Sequence, residues 1–246
     1  QCPSPIKEQL YKILFRPDKN APEYKAVVEA SRASQTAPLT LLQNAGAIAS
    51  AYDFHWQRFL FDNFPKGTGF PKLEAPAIAE ELPLANVQAY SIDDSQTTEI
   101  DDALSLQGLG SGKVVVGIHI AAPGLAISPN SAIDNVGRNR LSTVYMPGYK
   151  ITMLPDDVVQ SYTLAEGQAC PAVSLYVTFD EATLTIEHSE TKLERVPIHT
   201  NLRHDQLDQW VTPEWLESNA PALREGEPSL PIAHNELAFF WRLAQH

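Results

Sequence analysis

The sequence predicts an α+β fold, in which a small helical N-terminal module precedes a mixed α/β domain. Apolar residues recur at helical spacing over residues 1–65, whereas β-rich runs broken by turn residues begin near Val87. Helical patterns return between and after these runs. Strands followed by a growing share of helix are typical of α+β proteins.

The helical module contains four predicted helices. In the first, the apolar residues Ile6, Leu10, Ile13 and Leu14 share one face, and Pro17 ends the helix. Short helices joined by short turns suit a helix-turn-helix-like module. A helical packing domain without nucleic-acid contact is the alternative. The other three predicted helices span residues 24–33, 38–49 and 52–61.

A stretch rich in proline and glycine, beginning at Phe64, predicts a linker over residues 66–86. The second domain is predicted to span residues 87–246. Its last helix reaches His246 without a cap, so we expect the chain to stop inside this domain. The predicted strands are VQAYSI, KVVVGIHIAA, AVSLYVTF and TLTIEHSE, and the predicted helices span residues 132–141, 207–215 and 235–245.

The composition describes an ordinary globular protein that does not enter a membrane. Of the 246 residues 43% are hydrophobic and 20% charged, and no uncharged apolar run reaches the roughly 18 residues of a membrane span. Cys2 and Cys170 provide neither a disulfide framework nor metal-ligand spacing, and the first residues lack the features of a secretory signal. We therefore expect a cytoplasmic protein, and a monomer.

The net charge of -12 argues against a protein that binds nucleic acid through a broad basic surface. An acidic chain can still act on RNA if its carboxylates hold metal ions and a local basic strip contacts the strand. Composition alone therefore disfavours a nucleic-acid-binding protein, and only sequence motifs can reverse that conclusion.

Residues 91–106, SIDDSQTTEIDDALSL, carry the strongest chemical signal. Five carboxylates lie within ten residues without a Lys or Arg among them: Asp93, Asp94, Glu99, Asp101 and Asp102. Flanking apolar residues anchor the segment in a core, where crowded negative charge is costly unless a cation binds. Hard carboxylate oxygens favour Mg²⁺, with Mn²⁺ as the alternative ion.

The geometry expected of this segment suits phosphoryl chemistry. In an extended strand Glu99 and Asp101 share a face, and a turn over residues 95–98 returns Asp93 towards them. One or two ions held there could support an in-line displacement at phosphorus. An acidic surface loop is the simplest alternative, but the apolar anchors disfavour it. A calcium EF-hand is excluded, because Thr98 and Leu104 stand where its glycine and glutamate are required.

The acidic string SIDD-x4-EIDDALSL resembles the motif that opens the catalytic domain of the ribonuclease II (RNB) family of exoribonucleases. Three further matches follow in the family's order: VVVGIHIA at 114–121, RNRLSTVYMPGYKITMLP at 138–155, and NLRHDQLDQW at 201–210. The resemblance runs from about residue 88 to the end of the chain. It implies that residues 87–246 are the first half of an RNB-type catalytic domain.

The resemblance also implies roles for individual residues. Asp101 is the carboxylate that we expect to act in the chemical step. The family usually has Asp at the position of Glu99, so this chain keeps the charge but moves it by one methylene. His119 is interpreted as a strand residue without a role. The implied metal cluster consists of Asp93, Glu99, Asp101 and Asp102.

Tyr145 matches the family's aromatic residue that packs against the terminal base of the RNA, a contact that needs no particular base. A core tyrosine beside Met146 and Pro147 is the alternative. Arg138 and Arg140 precede this tyrosine and could contact RNA phosphates, although a solvated helix end explains them equally well.

The function implied by the resemblance is Mg²⁺-dependent hydrolytic 3′→5′ degradation of single-stranded RNA from its 3′ end, releasing nucleoside 5′-monophosphates. Two alternatives stay open. One is a catalytically weakened RNB-like protein that binds RNA or a protein partner. The other is a phosphohydrolase that acts on small substrates.

Overall fold

The computed structural model describes residues 1–73, 76–78, 81–218 and 230–246. The chain forms two units, Gln1–Pro71 and Lys72–His246. The predicted linker at 66–86 includes residues 74–75 and 79–80, which lie outside the described residues. The predicted boundaries at residues 65 and 87 stay a prediction. Among the described residues no helix has the length and apolar character needed to cross a membrane.

The first unit is helical, as predicted. Its core is formed by the buried side chains of Cys2, Leu10, Ile13, Val27 and Leu42. The predicted first helix is two short helices, α1 and α2, that meet at Gln9. The helices are α1 (Ser4–Glu8), α2 (Leu10–Phe15), α3 (Pro22–Ser34), α4 (Pro38–Asn44) and α5 (Ala51–Asn63).

The second unit is built on a closed barrel of five strands, and the α+β prediction is confirmed. The barrel order is β1-β2-β3-β6-β7, in which β1 and β7 pair in parallel and all other neighbours are antiparallel. The remaining two strands form a separate hairpin. The strands are β1 (Ala89–Asp93), β2 (Asp102–Gln107), β3 (Lys113–Ala121), β4 (Val144–Met146), β5 (Tyr149–Ile151), β6 (Ala169–Asp180) and β7 (Ile186–Arg203).

Two of the three helices predicted for this unit are confirmed and one is wrong, and the helix Asp156–Tyr162 was not predicted. The helix predicted over residues 207–215 is wrong, because α8 ends at Leu207 and α9 starts at Pro213, where proline suits a first helical position. The predicted last helix is confirmed as α10. The helices are α6 (Ala132–Arg140), α7 (Asp156–Tyr162), α8 (His204–Leu207), α9 (Pro213–Glu217) and α10 (His234–Gln245).

One end of the barrel is filled by small and branched apolar side chains. Leu164, which follows α7, is fully buried among them, and its backbone N–H donates to the carbonyl of Ile100. This bond attaches the chain after α7 to the loop between β1 and β2. The cluster comprises Ala85, Ala89, Ile100, Ala103, Leu164, Cys170, Ala172, Val196 and Ile198.

The barrel also encloses a polar network around His119 on β3. The imidazole is fully buried and lies between the hydroxyl oxygens of Ser105 and Ser174, at 2.8 Å from each. The ring of Tyr176 packs edge-on against it, and the Tyr176 hydroxyl donates to the buried carboxylate of Glu194 at 2.6 Å. The interpretation of His119 as a strand residue is therefore correct, but its side chain organises the barrel interior.

Gly117, also on β3, makes room for this network. A Cβ atom at this position would lie 2.3 Å from the Ser105 hydroxyl and 2.7 Å from Nε2 of His119. We expect Gly117→Ala to lower the free energy of unfolding by about 1–3 kcal/mol, because overpacking forces its neighbours to move. Gly124→Ala is the matched control, since an added Cβ there meets no atom within 4 Å. Equal melting temperatures for the two variants would contradict this expectation.

Candidate active site

The acidic segment connects β1 to β2 at one rim of the barrel. Asp93 is the last residue of β1, and Asp102 is the first residue of β2. Because the two strands are antiparallel neighbours, the end of one and the start of the other lie at the same edge. Residues 94–101 form the loop between them and contain a turn at Ser95–Gln96.

Three of the four predicted metal ligands influence one another. The pKa of Asp102 is raised, first by partial burial and then by the negative charges of Asp101 and Asp93. Asp101 and Asp102 lie at the surface, where neighbouring atoms partly enclose the Asp102 carboxyl group, and Asp93 is half-buried. The rim thus holds crowded negative charge that is open to an incoming ligand.

Glu99, the fourth predicted ligand, has a different partner. Its carboxylate accepts a hydrogen bond from the ammonium group of Lys150 on β5 at 2.8 Å, and the pair forms a salt bridge. The Glu99 side chain is only 18% exposed in this arrangement. The expected extended strand carrying Glu99 and Asp101 on one face is not observed, because β2 begins only at Asp102.

The carboxylates fit a divalent ion in donor chemistry, although they do not form a complete ligand cage. Within residues 1–73, 76–78, 81–218 and 230–246, no three His, Cys, Asp or Glu side chains are arranged as a ready metal-binding group. Mg²⁺ typically takes one or two carboxylates and completes its shell with waters and substrate phosphates. The crowding around Asp102 is the charge environment that such an ion would relieve.

Tyr145 lies on the hairpin formed by β4 and β5. Its side chain is 72% exposed, so the alternative of a core tyrosine is wrong. Tyr145 is paired in register with Lys150, the residue that contacts Glu99. The Lys150–Glu99 salt bridge therefore connects the tyrosine hairpin to the acidic segment.

The two predicted arginines have structural partners in the second unit. Arg138 forms a salt bridge with Asp134 one turn earlier in α6, and its side chain is 64% exposed. Arg140 donates to the backbone carbonyl of Thr152 at 2.8 Å, and burial lowers the pKa of its guanidinium. Arg140 thus attaches the end of α6 to the chain that follows β5, whereas Arg138 stays on the surface.

A cavity of about 240 Å³ opens beside the acidic segment. Glu99 and Asp101 are among its lining residues, together with residues of β3, of α7 and of the segments that flank the β4–β5 hairpin. The other lining residues are Ile100, Ile120, Ala121, Pro123, Thr143, Met153, Leu154, Val159, Tyr162 and Thr163.

Sequence reasoning missed the residues that orient the acidic segment from β7. Asn201 donates through its side-chain amide to the Ser91 hydroxyl at 2.8 Å, and Ser91 in turn donates to Asp93 at 2.6 Å. Arg203 donates to the carbonyls of Asp94 and Thr97, at 2.9 and 3.1 Å. The parallel pairing of β1 with β7 brings these residues together, and only the matched NLRHDQLDQW string marked them in the sequence.

Residues 108–112, which include three glycines, form the hairpin turn between β2 and β3. Its backbone N–H groups at Gly110 and Gly112 donate to the carboxylate of Glu181 at 2.9–3.0 Å. The loop therefore binds a carboxylate of its own chain.

The second unit thus places a carboxylate-bearing loop at the rim of a closed five-stranded barrel, and the Lys150–Glu99 salt bridge joins an exposed tyrosine hairpin to that loop. The model of the RNB domain matches residues 82–245. This match covers more than half of the chain, which therefore belongs to the RNB domain family.

Individual relatives agree with this assignment. An uncharacterized ribonuclease of Synechocystis sp. is 33% identical over 158 residues, which cover 62% of this chain and 22% of the relative. Exoribonuclease 2 of Vibrio parahaemolyticus is 30% identical over 156 residues, covering 63% and 23%. The chain thus spans between a fifth and a quarter of the length of these relatives.

Solved structures share the fold. Mycoplasma genitalium RNase R, determined in complex with ribose methylated single-stranded RNA, superposes with a TM-score of 0.58 at 17% identity. The superposition covers 77% of this chain and 30% of that one. At this identity the likeness shows the fold alone.

Proposed function

We propose that this chain carries the metal-binding part of a hydrolytic 3′→5′ exoribonuclease that degrades single-stranded RNA to nucleoside 5′-monophosphates. The observation that carries the proposal is the RNB domain match over residues 82–245, because it includes both the acidic segment and the tyrosine hairpin. The relatives named above are ribonucleases, and one solved neighbour was determined with single-stranded RNA.

In the proposed reaction, water attacks the phosphorus of the last phosphodiester, and the bond to the 3′ oxygen of the preceding nucleotide breaks. The released nucleotide keeps its 5′-phosphate, and the remaining RNA ends in a 3′-hydroxyl. Asp93, Asp101 and Asp102 would hold Mg²⁺, with Mn²⁺ as an alternative. When bound, Mg²⁺ supplies Lewis acidity at the phosphoryl and leaving oxygens.

Asp101 is the residue that we assign to the proton transfer. Asp101 is exposed at the rim and lines the cavity beside the acidic segment, which is where the scissile phosphate would bind in this proposal. A carboxylate oxygen of Asp101 would accept the proton of the attacking water. Glu99 can join the metal ligands only if its salt bridge with Lys150 opens.

The charge distribution supports the proposal that a cation is needed for RNA to approach the rim. Residues 72–246 contain ten Lys and Arg against 24 Asp and Glu. An RNA phosphate that approaches the rim meets like charge from three carboxylates, which a divalent ion would neutralise. Arg138, with its exposed side chain, is the better of the two predicted arginines for a phosphate contact.

The proposal is tested by incubating the protein with single-stranded RNA in Mg²⁺ or in chelator. We expect Mg²⁺-dependent release of nucleoside 5′-monophosphates, and a 3′-terminal label should be released before a 5′-terminal one. No release from any RNA, by this chain or by the longer protein that its relatives lead us to expect, would refute the nuclease proposal.

The second candidate is a catalytically weakened RNB-like protein that binds RNA or a partner. The salt bridge between Glu99 and Lys150 favours it, because a Lys ammonium already neutralises one of the four predicted ligands. This candidate predicts RNA binding without release of mononucleotides. A phosphohydrolase of small substrates would instead show no dependence of rate on RNA length.

Tyr145→Ala gives a prediction specific to the tyrosine hairpin. If the exposed ring stacks on the terminal base, its removal should raise KM for RNA about 10-fold, in line with the roughly 1–3 kcal/mol per base that such stacking contributes. Tyr145→Phe keeps the ring and should keep KM. Tyr149→Ala, which changes the neighbouring exposed tyrosine of the hairpin, is the positional control. Equal KM values for Tyr145→Ala and Tyr145→Phe would contradict the stacking role.

A further inference from the structure

A chain of hydrogen bonds leads from β7 through the buried residue Ser91 to the acidic segment. Asn201 on β7 and Ser91 on β1 are register partners in the parallel pair. The Asn201 amide nitrogen lies 2.8 Å from the Ser91 hydroxyl oxygen, which lies 2.6 Å from Oδ2 of Asp93. Ser91 is almost fully buried at 2% exposure, whereas Asp93 and Asn201 at the two ends of the chain of bonds are half-buried.

The direction of this chain follows from the unambiguous partners of Asn201. Its amide oxygen accepts from the backbone N–H of Glu166 at 2.9 Å, which fixes the amide orientation. Its amide nitrogen donates one proton to the carbonyl of Leu164 at 3.0 Å and the other to the Ser91 hydroxyl oxygen. Ser91 must therefore donate its own proton to Asp93.

The backbone of Asn201 also forms a hydrogen bond with Glu166. Its backbone N–H donates to the carboxylate of Glu166 at 2.9 Å, and the Thr200 hydroxyl donates to the same carboxylate oxygen at 2.8 Å. These bonds hold the pKa of Glu166 below its usual range. Asn201 is thus held by four hydrogen bonds, two to Glu166 and one each to Leu164 and Ser91, which fix the orientation of its amide towards Ser91.

A second residue of the same strand holds the loop that follows Asp93. Arg203, two positions after Asn201, donates to the carbonyls of Asp94 and Thr97. Residues two apart on a strand point to the same side, so the side chains of Asn201 and Arg203 both point towards the acidic segment. The strand therefore fixes the Asp93 carboxylate through Asn201 and the turn after it through Arg203.

We infer that Asn201 is a positioning residue, which orients the Asp93 carboxylate through Ser91 for cation binding. This inference rests on the proposed function, since it assumes that Asp93 contributes to a metal site. The hydroxyl of Ser91 holds one carboxylate oxygen in place, which fixes the direction in which the other oxygen can bind. Partners that orient a ligating carboxylate in this way typically contribute 10- to 100-fold to metal affinity.

The test measures Mn²⁺ binding to the 246-residue chain by isothermal titration calorimetry. We expect Ser91→Ala and Asn201→Ala each to weaken Mn²⁺ binding by about 10-fold. The double variant should be no weaker than either single variant, because both changes break the same chain of bonds. Ser91→Thr keeps the hydroxyl and should retain most of the affinity.

Ser174→Ala is the matched control. Ser174 is a fully buried barrel serine that bonds to His119 instead of to the acidic segment, so its loss should affect stability but not Mn²⁺ affinity. If Asn201→Ala does not fold, Ser91→Ala and Ser91→Thr decide the question on their own.

The outcomes separate this inference from the proposed function. The positioning role would be overturned if Ser91→Ala bound Mn²⁺ as tightly as the wild type, if Ser174→Ala lost as much Mn²⁺ affinity as Ser91→Ala, or if the losses of affinity in the double variant were fully additive. In each of these cases the metal site itself would stand. Failure of the wild-type chain to bind Mn²⁺ would remove the metal site of the proposed function, and the positioning role with it.

Discussion

Asp101→Asn is expected to reduce the rate of mononucleotide release by roughly 10²- to 10⁴-fold, the usual contribution of a positioned proton acceptor. The substitution keeps the shape of the side chain but removes both the charge and the ability to take a proton from water. At saturating Mg²⁺ RNA binding should persist, because Asp93 and Asp102 would still hold the ion and one of three crowded negative charges is lost beside Asp102. The loss should therefore fall on kcat, measured as initial rates of release at saturating RNA.

The matched control for this prediction is Asp94→Asn. Asp94 is exposed and lies in the same loop, and its backbone carbonyl, which accepts from Arg203, is unchanged by the substitution. The net charge of the protein changes equally in both variants. If Asp94→Asn lost as much activity as Asp101→Asn, general loop charge and not proton transfer would explain the effect.

The elements that sequence patterns predicted well are those whose pattern is local. The apolar alternation of KVVVGIHIAA predicted β3, and the helical spacing at the chain's end predicted α10. The helix predicted over residues 207–215 was wrong because α8 and α9 each bury only one large side chain, Leu207 and Trp215. A pattern of apolar positions cannot separate two short helices from one longer helix.

The sequence predicted which residues form the candidate site, but not which side chains those residues contact. The density of carboxylates in residues 91–106 drew attention to Asp93, Asp101 and Asp102 without any knowledge of the barrel. The partner of Glu99 depends on the β4–β5 hairpin, 51 residues later in the chain. The partner of Ser91 depends on a parallel pairing 110 residues away. Such contacts follow from topology, which local spacing does not encode.

The polar network inside the barrel could not be predicted from local sequence patterns either. His119 sits in an apolar run, and its neighbours in sequence give no sign that two serines from other strands enclose it. Antiparallel pairing places β2 and β6 on either side of β3, and the closed barrel buries the imidazole completely. Hydrogen bonds to two hydroxyl groups replace those to water, which makes a fully buried histidine tolerable.

His119 should make the stability of the barrel depend on pH in a defined direction. Burial lowers the pKa of the imidazole from 6.5 to about 4, and the negative charge of Glu194 offsets this only in part. The unfolded chain therefore binds a proton between pH 6.5 and 4 that the folded barrel does not. The contribution of the neutral histidine to the free energy of unfolding is complete above pH 6.5 and falls by about 3 kcal/mol as the pH is lowered to 4.

Denaturation curves of the wild type and of His119→Gln across this pH range measure the effect. The variant cannot titrate at this position, while the carboxylates titrate in both proteins, so the wild type should lose more stability. Parallel pH profiles would show that the buried imidazole is protonated without cost.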